Sequence, residues 1–347
     1  MKYKNFEELS DAYNQLYVEG KYQEGLNIID EGLKELPKEE IEKNIYNINE
    51  FRAAFKGKIG LLDESMDILE EMIDEGYICA LQWGGISDSF IGNERFMKIR
   101  DKNTSLRNRL EEEVEFKHQV LLPNDYEDDK KYPLCICLHG DGDSIEFHRK
   151  YCPAEKLLDE GFIVVYMQAT QLVGNNSYAW LKRVFYNPDK ENWPDPEKIL
   201  KTSESSYLIK AMYDSAFDEI HKCYDSIKDE YSIDENRVVV SGFSGGATAA
   251  LEIALSNCIP VRGFVSISNL KPISFTEENV KNAMNRGIKC VFMEGEHDVP
   301  VKEVDEMMRM VDEVGLKYKY YINKGIGHWY PDDIEDKLVD AIKFIFE

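Results

Sequence analysis

The residues of this 347-residue chain best suited to chemistry lie in Gly242-Phe243-Ser244-Gly245-Gly246. The β-branched run Val238-Val239-Val240 leads into them. Small, helix-compatible residues follow from Ala247 to Ala250, then Leu251, Ile253, Ala254 and Leu255. This pattern predicts a strand, a tight turn and a helix. Glycines on either side of a serine permit a strained turn that lifts its hydroxyl above the strand ends, and they let strand and helix approach without Cβ clashes. At a helix N-terminus, free N–H groups and the positive end of the dipole favour a developing oxyanion. Taken alone, the same five residues also suit a glycine-rich turn that holds a phosphate. The two readings part on whether the remaining chain supplies a base, an acid and a second oxyanion donor.

In open parallel sheets, ligands bind beyond the carboxyl ends of the strands. Polar residues follow strand-like runs at three places, in the order serine, acid, histidine. Ser244 is the first, Asp298 follows Val291-Phe292-Met293-Glu294-Gly295-Glu296-His297, and His328 follows Tyr320-Tyr321-Ile322-Asn323-Lys324-Gly325-Ile326-Gly327. A serine hydroxyl attacks poorly near neutral pH unless an imidazole takes its proton, and a carboxylate must orient that imidazole and stabilise its cation. Ser244, His328 and Asp298 have the types those three roles need. Glu294, Glu296 and Asp305 are neighbouring carboxylates, so a surface-loop reading of Asp298 stays open. Backbone N–H groups of Gly245 and of Asp141, in the turn His139-Gly140-Asp141-Gly142, would form the oxyanion hole. Such chemistry calls for no metal and no organic cofactor. His139 reads as a turn histidine, and His118, His148, His221 and His297 as structural.

The elements that must position these groups alternate. Val114, Phe116, His118 and Val120 have the period of a strand, and Leu134 to Leu138 and Phe162 to Met167 are apolar enough to be buried on both faces. A helix is expected around Pro153 to Glu160 and a long helix or helix pair from Ser203 to Glu230. Strands are then expected over Val261 to Ile267, Ile288 to Met293 and Lys317 to Ile322, before a final amphipathic helix from Pro331 to Phe346. Repeated β-α units imply a doubly wound, mostly parallel sheet with right-handed crossovers. Residues 169–201 carry Asn, Pro and aromatic residues without a sustained period, which reads as a long loop over the sheet edge and a candidate lid. Tyr178 and Trp180 in it could line a substrate pocket or anchor the loop.

Residues 1–110 read as helix throughout, and the period changes to two beyond them, so residues 111–347 form the second domain. Tyr22, Leu26, Ile29 and Leu33 match Leu62, Met66, Leu69 and Ile73 at an offset of 40. The preceding helices match at 39, Phe6, Leu9, Ala12 and Leu16 falling on Ile45, Ile48, Phe51 and Phe55, so two related helical hairpins are expected. With Glu19-Gly20-Lys21-Tyr22 at a turn, Gly25 and Gly32 at close approaches and Pro37 at the end, the first hairpin resembles a tetratricopeptide repeat. The second departs more, with Met72 at a small-residue position. Such a region can present a surface to peptides, a protein partner or a second copy of the chain, cover the active site, or simply pack and stabilise.

From about Val114 onward the chain resembles an α/β-hydrolase. Leu138-His139-Gly140-Asp141-Gly142-Asp143-Ser144, Gly242-Phe243-Ser244-Gly245-Gly246, Gly295-Glu296-His297-Asp298-Val299-Pro300 and Gly325-Ile326-Gly327-His328 are similar to the phospholipase/carboxylesterase and dienelactone-hydrolase groups. Gly245 departs by standing where the carboxylesterase group often has glutamine. The resemblance implies a serine esterase that hydrolyses small carboxylic esters through an acyl-enzyme intermediate. A peptidase of the same fold and a partner-binding scaffold with an inactive hydrolase domain are the alternatives.

Composition narrows the partners. The 66 acidic against 42 basic residues give a formal charge of −24, which opposes binding to nucleic acid or anionic membranes. Met1-Lys2-Tyr3-Lys4-Asn5-Phe6 lacks an apolar segment after its lysines, so no signal peptide or membrane insertion and a cytoplasmic location are expected. The seven cysteines are odd in number and lie in apolar contexts, which predicts buried, reduced thiols.

Overall fold

The computed structural model describes residues 3–81, 87–90, 92–180, 203–269, 271–272, 274–298 and 301–347. The chain divides into two compact units. The first is formed chiefly by Met1–Glu113, with Leu172–Asn175; the second is the rest of the described chain from Val114 onward.

The first unit is helical. Its α-helices are α1 (Phe6–Val18), α2 (Tyr22–Glu35), α3 (Lys38–Lys58), α4 (Leu62–Asp74) and α5 (Glu94–Glu111). The offset of 40 seen in the sequence recurs in the backbone. Gly20 and Gly60 both take positive φ, 72° and 85°, and Lys21 and Leu61 precede α2 and α4 with φ, ψ of −86°, 58° and −83°, 61°. Helical spacing gathers Leu9, Tyr13, Leu26, Ile29, Ile48 and Phe55 into one core. Gly25 lies beneath the ring of Phe55, and Gly32 faces Leu9. Ser65, the counterpart of Gly25, is buried and donates to the carbonyl of Ala53 at 2.6 Å.

The second unit carries a seven-stranded sheet in the order β1-β3-β2-β6-β7-β8-β9. Its strands are β1 (Lys117–Leu121), β2 (Tyr132–Leu138), β3 (Ile163–Gln168), β6 (Ile233–Phe243), β7 (Gly263–Ile267), β8 (Lys289–Gly295) and β9 (Tyr318–Asn323). All neighbours pair in parallel except β1, which runs antiparallel to β3. The apolar run of β2 is buried along its whole length, as an inner parallel strand requires. Cys135 and Cys137 project from it into the same core, their sulfurs 3.8 Å apart. Helices α6 (Ile145–Tyr151), α7 (Glu155–Asp159) and α12 (Ile334–Phe346) supply residues to that core, including Leu157, Leu338 and Ile342. Among the described residues the remaining α-helices are α8 (Ser203–Glu230), α9 (Gly245–Ser256), which packs against β6 and β7, α10 (Glu277–Asn285) and α11 (Val301–Val314).

Two expectations change. The helix foreseen around Pro153 to Glu160 is only α7, and α6 precedes it, capped by Ser144, whose Oγ accepts from the N–H of Phe147. The stretch foreseen as a loop begins instead with short strands, β4 (Gln171–Gly174) and β5 (Ser177–Ala179). There Asn176 takes a positive φ of 49°, a conformation asparagine tolerates well, so an Asn-rich stretch turns without glycine. Residues 181–202 of that stretch lie outside the described residues. Among the described residues no helix is long and apolar enough to cross a membrane.

Candidate active site

Ser244 sits between β6 and α9 with φ 52° and ψ −116°, a backbone state that costs a non-glycine residue about 1–3 kcal/mol. Two bonds and three glycines hold it there. The N–H of Ser244 donates to Ile267 O at 2.9 Å, and its carbonyl accepts from Thr248 N at 3.0 Å. A Cβ on Gly242 would strike the carbonyl of Gly246, one on Gly246 would strike the carbonyls of Leu138 and His139, and one on Gly245 would strike the Asp141 carboxylate. At Gly242 and Gly246 glycine is therefore a packing requirement, since strand ends and helix touch backbone to backbone there, whereas Gly245 faces a side chain.

The loops after β8 and β9 are laced together in the same manner. The N–H groups of Glu296 and His297 donate to Asn323 O and Ile326 O, both at 2.9 Å, and Gly325 N donates to Glu296 Oε2 at 2.9 Å. A Cβ on Gly295 would strike the carbonyl of Gly327. This lacing brings Asp298 to His328, whose Nδ1 lies 2.9 and 3.1 Å from the two carboxylate oxygens. Nε2 of the same ring lies 2.8 Å from Ser244 Oγ. An ionised carboxylate can only accept, so Nδ1 carries the proton, and Nε2 is left with its lone pair toward the hydroxyl. The Asp298 side chain is 6 % exposed and that of His328 45 %, so the acid is shielded while the imidazole meets solvent.

Asp141 and Gly245 face each other across the serine turn. Gly245 is the first residue of α9, where an N–H has no acceptor within the helix. The Asp141 carboxylate accepts the backbone N–H of Trp180 at 2.9 Å, and the Trp180 indole N–H donates to His139 O at 2.8 Å. Trp180 is buried and anchors this loop, whereas Tyr178 lines a cavity to which Ser244 and His328 do not contribute. Burial pulls His139 down to about 4, so its ring is neutral near pH 7. Nε2 accepts from Ala169 N at 3.0 Å, and Nδ1–H donates to Gly140 O at 2.7 Å.

Sequence reasoning leaves the surroundings of several groups here unassigned, among them His148, read as structural, and Glu294. His148 and Tyr330 share a hydrogen bond of 2.8 Å across 182 positions, and the Tyr330 ring stacks on Phe243 with centroids 4.0 Å apart. Tyr330 thereby ties the histidine loop to the residue before Ser244. Burial, with the Asp298 charge adding to it, pushes the Glu294 carboxyl up to about 8. Burial raises Asp143 to about 7, the Asp141 charge acting in the same direction. No local sequence signal marks these pairings; only their position at strand ends does.

The chain is similar to several known proteins. A family model described as phospholipase/carboxylesterase matches residues 125–345. The acyl-protein thioesterase 1 of Debaryomyces hansenii is 23 % identical over 185 residues, covering 47 % of this chain and 78 % of that one. The crystal structure of esterase PE8 superposes with a TM-score of 0.50 at 18 % identity, covering 67 % of this chain and 100 % of that one. An uncharacterised protein from Bacillus cereus aligns over 98 % of both chains at 20 % identity, with a TM-score of 0.47.

Proposed function

The chain belongs to the phospholipase/carboxylesterase family, and on that footing we propose that it is a serine hydrolase that cleaves carboxylic esters through an acyl-enzyme intermediate. The observation that carries this reading is the continuous relay from Asp298 through His328 to Ser244, with contacts of 2.9 and 2.8 Å.

In the first half-reaction, Nε2 of His328 takes the hydroxyl proton as Ser244 Oγ bonds to the acyl carbon. The carbonyl oxygen becomes an oxyanion that accepts from the N–H groups of Gly245 and Asp141. Collapse of the adduct breaks the acyl–oxygen bond, and the imidazolium returns its proton to the departing alkoxide. Water then repeats the sequence on the acyl-serine, giving the acid and restoring the hydroxyl. Asp298 holds the imidazole in the tautomer that leaves Nε2 basic and stabilises its cation. A sulfur leaving group would follow the same path. The positive φ of Ser244 supports this role, since strain at that residue presents Oγ to the ring.

For the other part of the chain, we propose that residues 1–110 form a separate helical-hairpin domain of tetratricopeptide type. The matching backbone angles before α2 and α4 support it.

Fluorophosphonate labelling together with hydrolysis of short p-nitrophenyl esters tests the catalytic reading. Ser244→Ala and His328→Ala should abolish labelling and lower kcat by roughly 10⁴-fold or more while leaving the melting temperature near that of the native chain. A folded native protein that neither labels nor turns over any ester, or a Ser244→Ala variant that still does, would remove Ser244 from the mechanism.

A further inference from the structure

A chain with a formal charge of −24 has few places where cations gather. One is a cavity of about 690 Å³ in the second unit, where Lys117 and His118 of β1 meet Arg149 and Lys150 of α6. Among the described residues the one carboxylate on its wall is Glu146, which is exposed to solvent. Neither Lys117 nor Arg149 forms an ion pair among the described residues, although Asp and Glu exceed Lys and Arg by 66 to 42 in the chain. Converging like charges on a concave wall raise the local potential and concentrate a counter-ion, and the low-dielectric wall focuses the field.

The neutral part of the wall suits a ligand as well. Gln168 is buried at the end of β3, and its Oε1 accepts the N–H of Ile145 at 3.3 Å, so its NH₂ is the end available to an acceptor. Tyr178 adds an aromatic face. The volume falls within the range of small-molecule sites, roughly 300–1,000 Å³.

We propose that this cavity is a binding site for a small organic molecule carrying a multiply charged oxyanion group, a phosphate or a cluster of carboxylates. Arg149 grips the group with its planar fork, and Lys117 and Lys150 neutralise it as point charges. The site is separate from the serine. None of Ser244, Asp298 and His328 lines it. It nevertheless adjoins the loop that carries Asp141, because Tyr178 N–H donates to Asp143 O at 3.0 Å and Gly142 N–H donates to Tyr178 O at 2.8 Å. From the other side of α6, Phe147 and Tyr151 pack on Trp329, with centroids 6.1 and 5.1 Å apart. The proposal does not rest on the esterase reading, and a chain without esterase activity would still carry the site.

Calorimetric titration of the full chain with inorganic phosphate and, separately, with citrate at low ionic strength tests it. At least one probe should bind saturably to the native chain and to Ser244→Ala alike. Arg149→Ala and Lys117→Gln should each weaken that binding by roughly tenfold. Lys117 is exposed on an edge strand and glutamine keeps part of its apolar stem, so this variant should fold even if Arg149→Ala does not. The tighter probe identifies the charged group. No saturable binding of either probe up to about 10 mM, weaker than any useful site, would overturn the proposal. Binding that is unchanged in a folded Lys117→Gln variant would overturn it equally.

Discussion

The glycines of the helical unit and those around Ser244 do different work. Gly25 and Gly32 make room for side chains, the ring of Phe55 and the methyl groups of Leu9. Gly242, Gly246 and Gly295 make room for main-chain carbonyls of Gly246, of Leu138 and His139, and of Gly327. A ring or a methyl group can rotate away from an added atom; a main-chain carbonyl can move only if the backbone that carries it moves as well. Helical packing in the first unit is therefore adjustable, while the geometry that sets Ser244 against His328 is fixed by contacts with no slack.

Gly246→Ala should show the largest effect. Its Cβ meets two carbonyls at the end of β2, and the strand cannot part from α9, so a stability loss of about 3 kcal/mol or more is expected from overpacking, with loss of esterase turnover. Chemical denaturation followed by circular dichroism measures it. A loss under about 1 kcal/mol would show that the backbone contact yields after all.

Buried acids extend the comparison. Each unit holds a carboxyl raised by desolvation, Glu50 to about 7 and Glu294 to about 8. Glu50 accepts a good backbone bond from Ala80 N at 2.8 Å, whereas Glu294 Oε1 has only a long one from Asn269 N at 3.5 Å and its Oε2 has no partner among the described residues. The folded state holds each proton to a higher pH than the unfolded chain does, so stability falls as pH rises from about 4.5 through the folded value. For Glu294 this amounts to a few kcal/mol at pH 9, on the order set by linkage. Melting temperatures at pH 5, 7 and 9 should fall less steeply for Glu294→Gln than for the native chain, and Glu50→Gln should change the slope less. Asp143, raised to about 7, leaves a residual slope of the same sign. Equal slopes in native and Glu294→Gln proteins would mean that the carboxyl is solvated.

Gly25→Ala should give the smallest effect. Alanine gains about 1 kcal/mol of helix propensity, against the cost of turning the Phe55 ring, so the net change should stay within about 1 kcal/mol in urea denaturation. A loss as large as that of Gly246→Ala would erase the distinction between the two kinds of glycine.

What could be read from the sequence followed how local each cause is. The buried parallel strands announce themselves, because continuous runs such as Leu134 to Leu138 have few other uses. The turn at Ser244 is legible for the same reason: strand, glycines and helix are contiguous. Helix α6 was not, since Ile145 to Tyr151 is short, charged and without a full apolar period, and its place depends on His148 meeting Tyr330 far along the chain. Nor could β4 and β5 be seen in an Asn-rich stretch. The cationic cavity is likewise invisible, because Lys117 and Arg149 are brought together only by the antiparallel return of β1 along β3.

The two thiols of β2 have a use of their own. Cys135 and Cys137 lie at the middle of the sheet with almost no exposure, and the hydrogen bond with the Cys135 thiol, together with burial, holds Cys137 far from its reactive anionic form. An alkylating reagent can reach them only when the strand leaves its neighbours. Their rate of modification is thus a clock for the opening of the sheet, readable by mass spectrometry without any added label. Slow alkylation would report a sheet that rarely opens, and rapid alkylation under native conditions would expose breathing at the core of the second unit.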